Sequence, residues 1–231
     1  MKQTILKFLF LVTIILMDIL GGAEIDLFVP SFPEIQTDFN LSPFLVEAIL
    51  SINCIGYLIS LLFVGALADR YGRKVIILIG FIIFIAGSIL CISATVFKFL
   101  LIGRFLQGIG VAAPASLCFL IIADSYPLKK QQSLMAILNG IINIAIAAAP
   151  VAGSYITMYF HWQGNFKALL ILAAFTLVMT IIFIPTTKLP EQKEPLSLKG
   201  YIPILKSKTL MLFIMTLVFL SVPYWVFLGM I

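Results

Sequence analysis

Long apolar runs separated by short polar interruptions organise this sequence from end to end. Each run holds about 20 mostly apolar residues, the length a helix needs to cross the hydrocarbon core of a bilayer. The pattern predicts spanning helices over residues 7–28, 44–68, 75–94, 99–123, 134–158, 167–185 and 209–231. One interruption is longer than the rest. Residues 186–208, TTKLPEQKEPLSLKGYIPILKSK, carry three prolines and five lysines and predict a polar linker with a short interfacial piece near 198–205. The expected organisation is a six-span bundle over 1–185, a cytoplasmic loop over 186–208 and a seventh span over 209–231.

Composition agrees with the pattern. Of 231 residues 62% are hydrophobic and 11% charged, with a mean hydropathy of +1.16, outside the range of water-soluble domains. The fold class is all-α and integral to the membrane. A cleaved signal does not explain the N-terminus: Lys2 and Lys7 precede the run 8–17, but Asp18 interrupts it and no small-x-small cleavage site follows.

The net charge of +5 reflects topology rather than nucleic-acid binding. With the N-terminus inside, Lys2, Lys7, Arg70, Arg73, Lys74, Lys129, Lys130, Lys188, Lys193, Lys199, Lys206 and Lys208 all fall on the cytoplasmic side, and only Lys98 and Lys167 fall outside. Cys54, Cys91 and Cys118 lie in three different spans without metal-ligand spacing and read as packing residues. His161, the only histidine, sits beside Trp162 in the turn between spans five and six, where an interfacial role is expected.

Charged residues inside spans carry the chemistry. MDILGGAEIDLFVPSFP, residues 17–33, places Asp18 near the middle of span one and Glu24 and Asp26 towards its outer end. A charge at the bilayer centre costs about 2.5–3.5 kcal/mol on insertion scales, so such an acid faces a watery cavity, pairs, or exchanges a proton. On a helix Asp18 and Asp26 are roughly 12 Å apart and about 80° apart in facing, and both can line one cavity wall; Glu24 points about 160° away from Asp26. Arg104, in span four, lies at a depth comparable with Asp26, which makes Asp26–Arg104 and Glu24–Arg104 the candidate pairs. The competing expectation is that Arg104 and Asp26 snorkel to the outer interface and that Glu24 lies at headgroup level. Pro30 and Pro33 end span one.

The loop between spans two and three reads GALADRYGRKVIIL, residues 65–78. Any cytoplasmic turn would carry Arg70, Arg73 and Lys74. Gly65 is expected to let a neighbouring helix approach closely and Gly72 to permit a tight reversal. Asp69 is placed to pair with a nearby arginine or to cap the adjoining helix.

This stretch resembles motif A of the major facilitator superfamily, G-x-L-A-D-R-x-G-R-K, at every defined position: Gly65, Leu67, Ala68, Asp69, Arg70, Gly72, Arg73 and Lys74. LIGRFLQGIGVAAPAS, residues 101–116, is similar to the family's motif B through Arg104, Gln107, Gly108 and Gly110. EIDLFVPSFPEI, residues 24–35, resembles the first span of the bicyclomycin-resistance (Bcr/CflA) subfamily of drug:proton antiporters. Span five departs from the antiporter motif G-P-x-x-G-G, having Ala149-Pro150-Val151-Ala152-Gly153-Ser154 and so keeping Pro150 and Gly153. Gly140, Pro150 and Gly153 read first as small residues for close helix contact and a proline kink.

The resemblance implies two six-span halves of inverted three-span repeats around a midplane substrate site. One half, the central loop and the first span of the second half are expected here. It further implies proton-coupled export of small drug-like compounds with Asp18, Asp26, Glu24 and Arg104 at the cavity, motif A as a conformational loop, lipid and protons as partners, and no cofactor. The expected forms are a truncated chain or a split one whose remaining spans come from a separate chain. A non-transporting remnant and a facilitator of another substrate class, such as a metabolite exporter, are the alternatives. A retinal protein lacks its lysine in span seven, and an intramembrane enzyme lacks a nucleophile–base pair or HExxH within the spans.

Overall fold

The computed structural model describes residues 2–186 and 207–229, with side chains over 5–186 and 207–219. The chain divides into two units, residues 1–190 and 191–231. The central loop expected over 186–208 lies almost wholly outside the described residues.

Helices joined by short turns make up the described residues of the first unit. Helix α1 spans Lys2–Asp26 and is followed by a 3-10 turn, Val29–Ser31, and a short helix α2, Phe32–Asp38. Pro30 and Pro33 stand in the first turns of these two short pieces, where a missing N–H is tolerated. Helices α3 (Pro43–Tyr71), α4 (Arg73–Ile92) and α5 (Phe97–Ser125) then cross in alternate directions.

Helix α6 runs from Leu128 to Phe183, 56 residues. Unbroken, it would be about 84 Å long, nearly three times the hydrocarbon thickness. It breaks at His161, whose backbone adopts φ 59° and ψ 178°. The two arms, 128–160 and 162–183, run in opposite directions: the first begins where Gln131 bonds the carbonyls of Ala123 and Tyr126, and the second ends where Lys74 bonds the carbonyl of Ile181. Spans five and six are therefore joined by a single-residue reversal, not by the eight-residue turn expected over 159–166. Among the described residues five helices are long and apolar enough to cross a bilayer, all in the first unit, and α6 does so twice, giving a multi-pass membrane unit of six crossings.

Helix α5 is the axis of the packing, for a reason legible in its glycines. A Cβ on Gly103 or Gly110 would strike the backbone of α4 at Gly87 and Gly80, and a Cβ on Gly108 would strike the Asn53 carbonyl of α3. These backbones touch, with no side chain between them, which is how spans associate in lipid without a hydrophobic driving force. Ser60 adds a bond from α3 to the carbonyl of Ile109, 2.9 Å.

In the second unit, helix α7 spans Lys208–Gly229; its described side chains are mostly exposed and apolar, Leu212 and Phe213 among them.

Candidate functional site

Helix α1 meets α5 on one side and the first arm of α6 on another, because Gly21 and Gly22 present no side chain to either. A Cβ on Gly21 would lie 2.5 Å from that of Ala115, and one on Gly22 would lie 2.8 Å from Ile142 Cγ1. Covered on two sides, α1 buries acids that point in different directions: Asp18 is 7%, Glu24 1% and Asp26 4% exposed.

Glu24 does not lie at headgroup level. It faces Arg104 of α5, with Oε2 3.5 Å from Nη1, and the arginine is fully buried, so neither member snorkels. Aromatic faces complete the enclosure, with the guanidinium carbon 4.9 Å from the Phe28 ring centroid and 5.9 Å from that of Phe166. Phe28 and Phe166 themselves pack at 4.8 Å. Asp26, the other candidate partner, is buried on the same end of α1.

Behind the arginine lies a string of buried polar groups. Arg104 Nη1 donates to Gln107 Oε1 (2.9 Å), Gln107 Nε2 donates to Ser88 Oγ (2.8 Å), and Ser88 Oγ donates to the carbonyl of Phe84 (2.9 Å). Asn53 Nδ2 holds the carbonyl of Arg104 at 3.1 Å. Oε2 of Glu24, Nε and Nη2 of Arg104, Oδ1 of Asn53 and Oδ2 of Asp18 have no hydrogen-bond partner among the described residues. The site is thus enclosed and its hydrogen bonding incomplete: the guanidinium stands within ion-pair distance of the Glu24 carboxylate. Among the described residues, no cluster of three or more His, Cys, Asp or Glu side chains is arranged to hold a metal.

Of the motif B residues, Arg104 and Gln107 belong to the buried polar cluster, whereas Gly108 and Gly110 lie against the backbones of neighbouring helices. Sequence reading did not single out Asn53, Ser88, Phe28 or Phe166. For Asn53 and Ser88 the signal was present, since each is a polar residue within an apolar span.

At the opposite end of the unit lies the motif A turn. Gly72 has φ 93°, which supports the sharp reversal from α3 to α4. Arg73 pairs with Asp124 and bonds the carbonyl of Leu120, both in the last turn and a half of α5, while Lys74 Nζ bonds the carbonyl of Ile181 at 2.8 Å. Two consecutive bases therefore cap the C-terminal ends of two different helices. Arg70 lies over the Tyr71 ring at 5.5 Å. Two expectations are corrected here. Asp69 is exposed and in no ion pair among the described residues, the acid partner of Arg73 being Asp124. A Cβ on Gly65 would meet nothing within 4 Å, so no described helix approaches it.

In the first arm of α6, Pro150 lies inside the helix and Gly153 backs onto the carbonyl of Leu27 at the end of α1. Gly140 makes no such approach; a Cβ there would meet open space among the described residues. At the reversal, His161 Nδ1 lies 2.7 Å from Glu34 Oε1, and Trp162 Nε1 donates to Asp38 Oδ2 at 2.7 Å. Trp162 is buried and packs against Phe39 and Phe166. Asn165 donates to Ser31 (2.6 Å) and Thr157 (2.9 Å), tying both arms to the 3-10 turn that follows α1.

The folding unit is similar to solved transporters: the peptide transporter POT in complex with sulfate, with a TM-score of 0.70 at 18% identity over 93% of this chain and 46% of that one, and the human organic anion transporter MFSD10 (TETRAN), with a TM-score of 0.63 at 20% identity over 82% and 50%. These likenesses concern the fold. Among curated sequences, the multidrug resistance protein MdtL of Citrobacter koseri is 31% identical over 179 residues, 78% of this chain and 46% of that protein. MdtL of Salmonella heidelberg is 30% identical over 189 residues, 82% and 48%. The chain spans about half the length of the curated relatives it matches. The model of the Major Facilitator Superfamily matches residues 12–231, and the chain belongs to that family.

Proposed function

We propose that the protein is the N-terminal half and the first span of the second half of a drug-efflux transporter of the Bcr/CflA kind, in truncated or split form, exporting small amphipathic compounds in exchange for protons across the cell inner membrane, with its N-terminus in the cytoplasm. The reading rests above all on the Glu24–Arg104 pair, closed off from solvent inside a six-span unit. The names of the MdtL relatives support drug resistance as the biological setting. The excess of lysine and arginine in the loops assigned to the cytoplasm supports the orientation.

A proton arriving at Glu24 cancels its charge and leaves Arg104 buried without its counter-ion. Removing one partner from a buried pair costs about 3–5 kcal/mol, enough to drive the guanidinium towards another acid or a substrate group and to bias repacking of the spans. Asp18 and Asp26, on the same helix, supply the alternative acids. The substrate cavity of such a transporter lies between two halves. The remaining spans of the second half complete it either in the same polypeptide or as a separate chain.

The test is ethidium efflux driven by an imposed pH gradient in proteoliposomes holding the chain together with a second chain that supplies the five remaining spans. Glu24→Gln, Asp26→Asn and Arg104→Ala each abolish proton-linked efflux while membrane insertion is retained. Unchanged efflux in these variants removes the site assignment, and efflux absent from every assembly favours the remnant reading.

A further inference from the structure

Arg104 can donate hydrogen bonds but cannot accept them, so the Gln107 amide beside it must present its oxygen. That orientation turns the amide NH2 the other way, into the fully buried contact between α4 and α5. There it needs an acceptor. Ser88 is the group that supplies one: its own proton goes to the carbonyl of Phe84, one turn back along α4, which leaves the hydroxyl oxygen free to accept from Gln107 Nε2. All three bonds run in one sense from Arg104 to the α4 backbone, and Ser88, Gln107 and Arg104 are each fully buried.

We propose that Ser88 is a positioning residue for Arg104, acting through Gln107 to fix the guanidinium towards Glu24. The inference deepens the site proposed above and rests on that reading for its link to transport; the geometry it invokes belongs to the resting protein. Without the Ser88 oxygen, the orientation of Gln107 that serves Arg104 leaves a buried NH2 unpaired. The opposite orientation sets donor against donor at the guanidinium. Either outcome loosens Arg104 at the point where it meets Glu24.

Unfolding of the purified chain in detergent tests this without any transport step. Melting temperatures are measured for the parent, Glu24→Gln, Arg104→Met and the double variant, first with Ser88 and then in a Ser88→Ala background. The non-additive part of the two single losses reports the coupling of residue 24 to residue 104. The expected result is that Ser88→Ala reduces this coupling by at least half, and that Ser88→Thr, which keeps the hydroxyl, restores it. Gln107→Ala produces the same reduction, and Ser88→Ala then adds nothing to it. A uniform downward shift of all four proteins with the coupling intact makes Ser88 a packing residue and overturns the proposal. So does a further fall in coupling when Ser88→Ala is added to Gln107→Ala. Should Ser88→Ala not be recovered, Ser88→Cys, with a weak acceptor of similar size, carries the same expectation. Failure here leaves the efflux result with Arg104→Ala untouched, so the two readings fall separately.

Discussion

Two glycines drawn from the family motifs are expected to respond oppositely to the same substitution. Gly110 of α5 lies against α4 so closely that an added Cβ would stand 2.6 Å from the Gly80 carbonyl oxygen and 2.8 Å from Phe84 Cα. No flexible side chain stands in the way; the obstacle is backbone. The Phe84 amide nitrogen stands closer still, so to reach ordinary contact the two helices must part by about 1 Å, and a gap of that size forfeits up to about half of each dispersion well along the seam. Overpacking of this kind costs about 1–3 kcal/mol, and its backbone nature puts Gly110→Ala near the upper end. Helix propensity returns about 1 kcal/mol, leaving a net loss of about 2 kcal/mol. Gly65→Ala meets nothing within 4 Å and keeps only the propensity gain. Far-UV circular dichroism melting of the chain in detergent measures both. On the scale of domains this size the expected shifts are a fall of about 4–8 °C for Gly110→Ala and a rise of up to about 4 °C for Gly65→Ala. Equal shifts, or a larger loss at Gly65, would refute the reasoning that direct helix contact decides the role of each glycine.

The other expectations concern the two ends of the unit. At His161, backbone with φ 59° and ψ 178° occupies a region nearly reserved for glycine, which stores about 1–3 kcal/mol, whereas the largely exposed contact with Glu34 returns about 0–1 kcal/mol; His161→Gly is therefore expected to melt no lower than the parent, and a loss above about 4 °C contradicts this. Trp162→Phe keeps the rings packed on Phe39 and Phe166 but removes the N–H donated to Asp38, a loss of about 1 kcal/mol against about 3–5 kcal/mol for Trp162→Ala, and equal losses would deny the ring packing its share. Arg73→Ala breaks an ion pair whose acid is half exposed, so its melting deficit is expected to stay within about 1 kcal/mol and to shrink in 1 M salt; a salt-independent deficit would assign the stabilisation to the Leu120 carbonyl instead.

The features that sequence made visible are those a single helix carries by itself. Apolar runs located every crossing of the first unit, and the acids of α1 and the lone arginine of α5 marked the buried pair, because a charge in an apolar run needs a partner wherever the helix packs. What stayed hidden depends on which neighbour a face meets. Gly65 and Gly140 look the same in sequence as Gly110 and Gly153, yet only the latter two touch another backbone. Asp69, adjacent to Arg70 and near Arg73, was the natural partner on sequence distance, but the rotation of α4 aims Arg73 at Asp124, about fifty residues downstream. The reversal at His161 was hidden for a different reason: an ordinary side chain in a glycine-like conformation leaves no compositional mark. Ser88 and Asn53 were polar outliers whose importance rests wholly on facing Gln107 and the Arg104 carbonyl.

The pairing of Glu24 with Arg104 also sets an order on biosynthesis. The acid leaves the ribosome about 80 residues before its counter-ion. At roughly 5–20 residues per second, span one therefore waits about 4 to 16 seconds with three carboxylates and no guanidinium to meet them. Each unpaired charge disfavours release into lipid by up to about 2.5–3.5 kcal/mol, so α1 is expected to stay beside the insertion machinery until α5 emerges. Nascent chains arrested before and after residue 104 would show this as a change in photocrosslinking from position 24, from the translocation channel in the shorter chain to α5 in the longer.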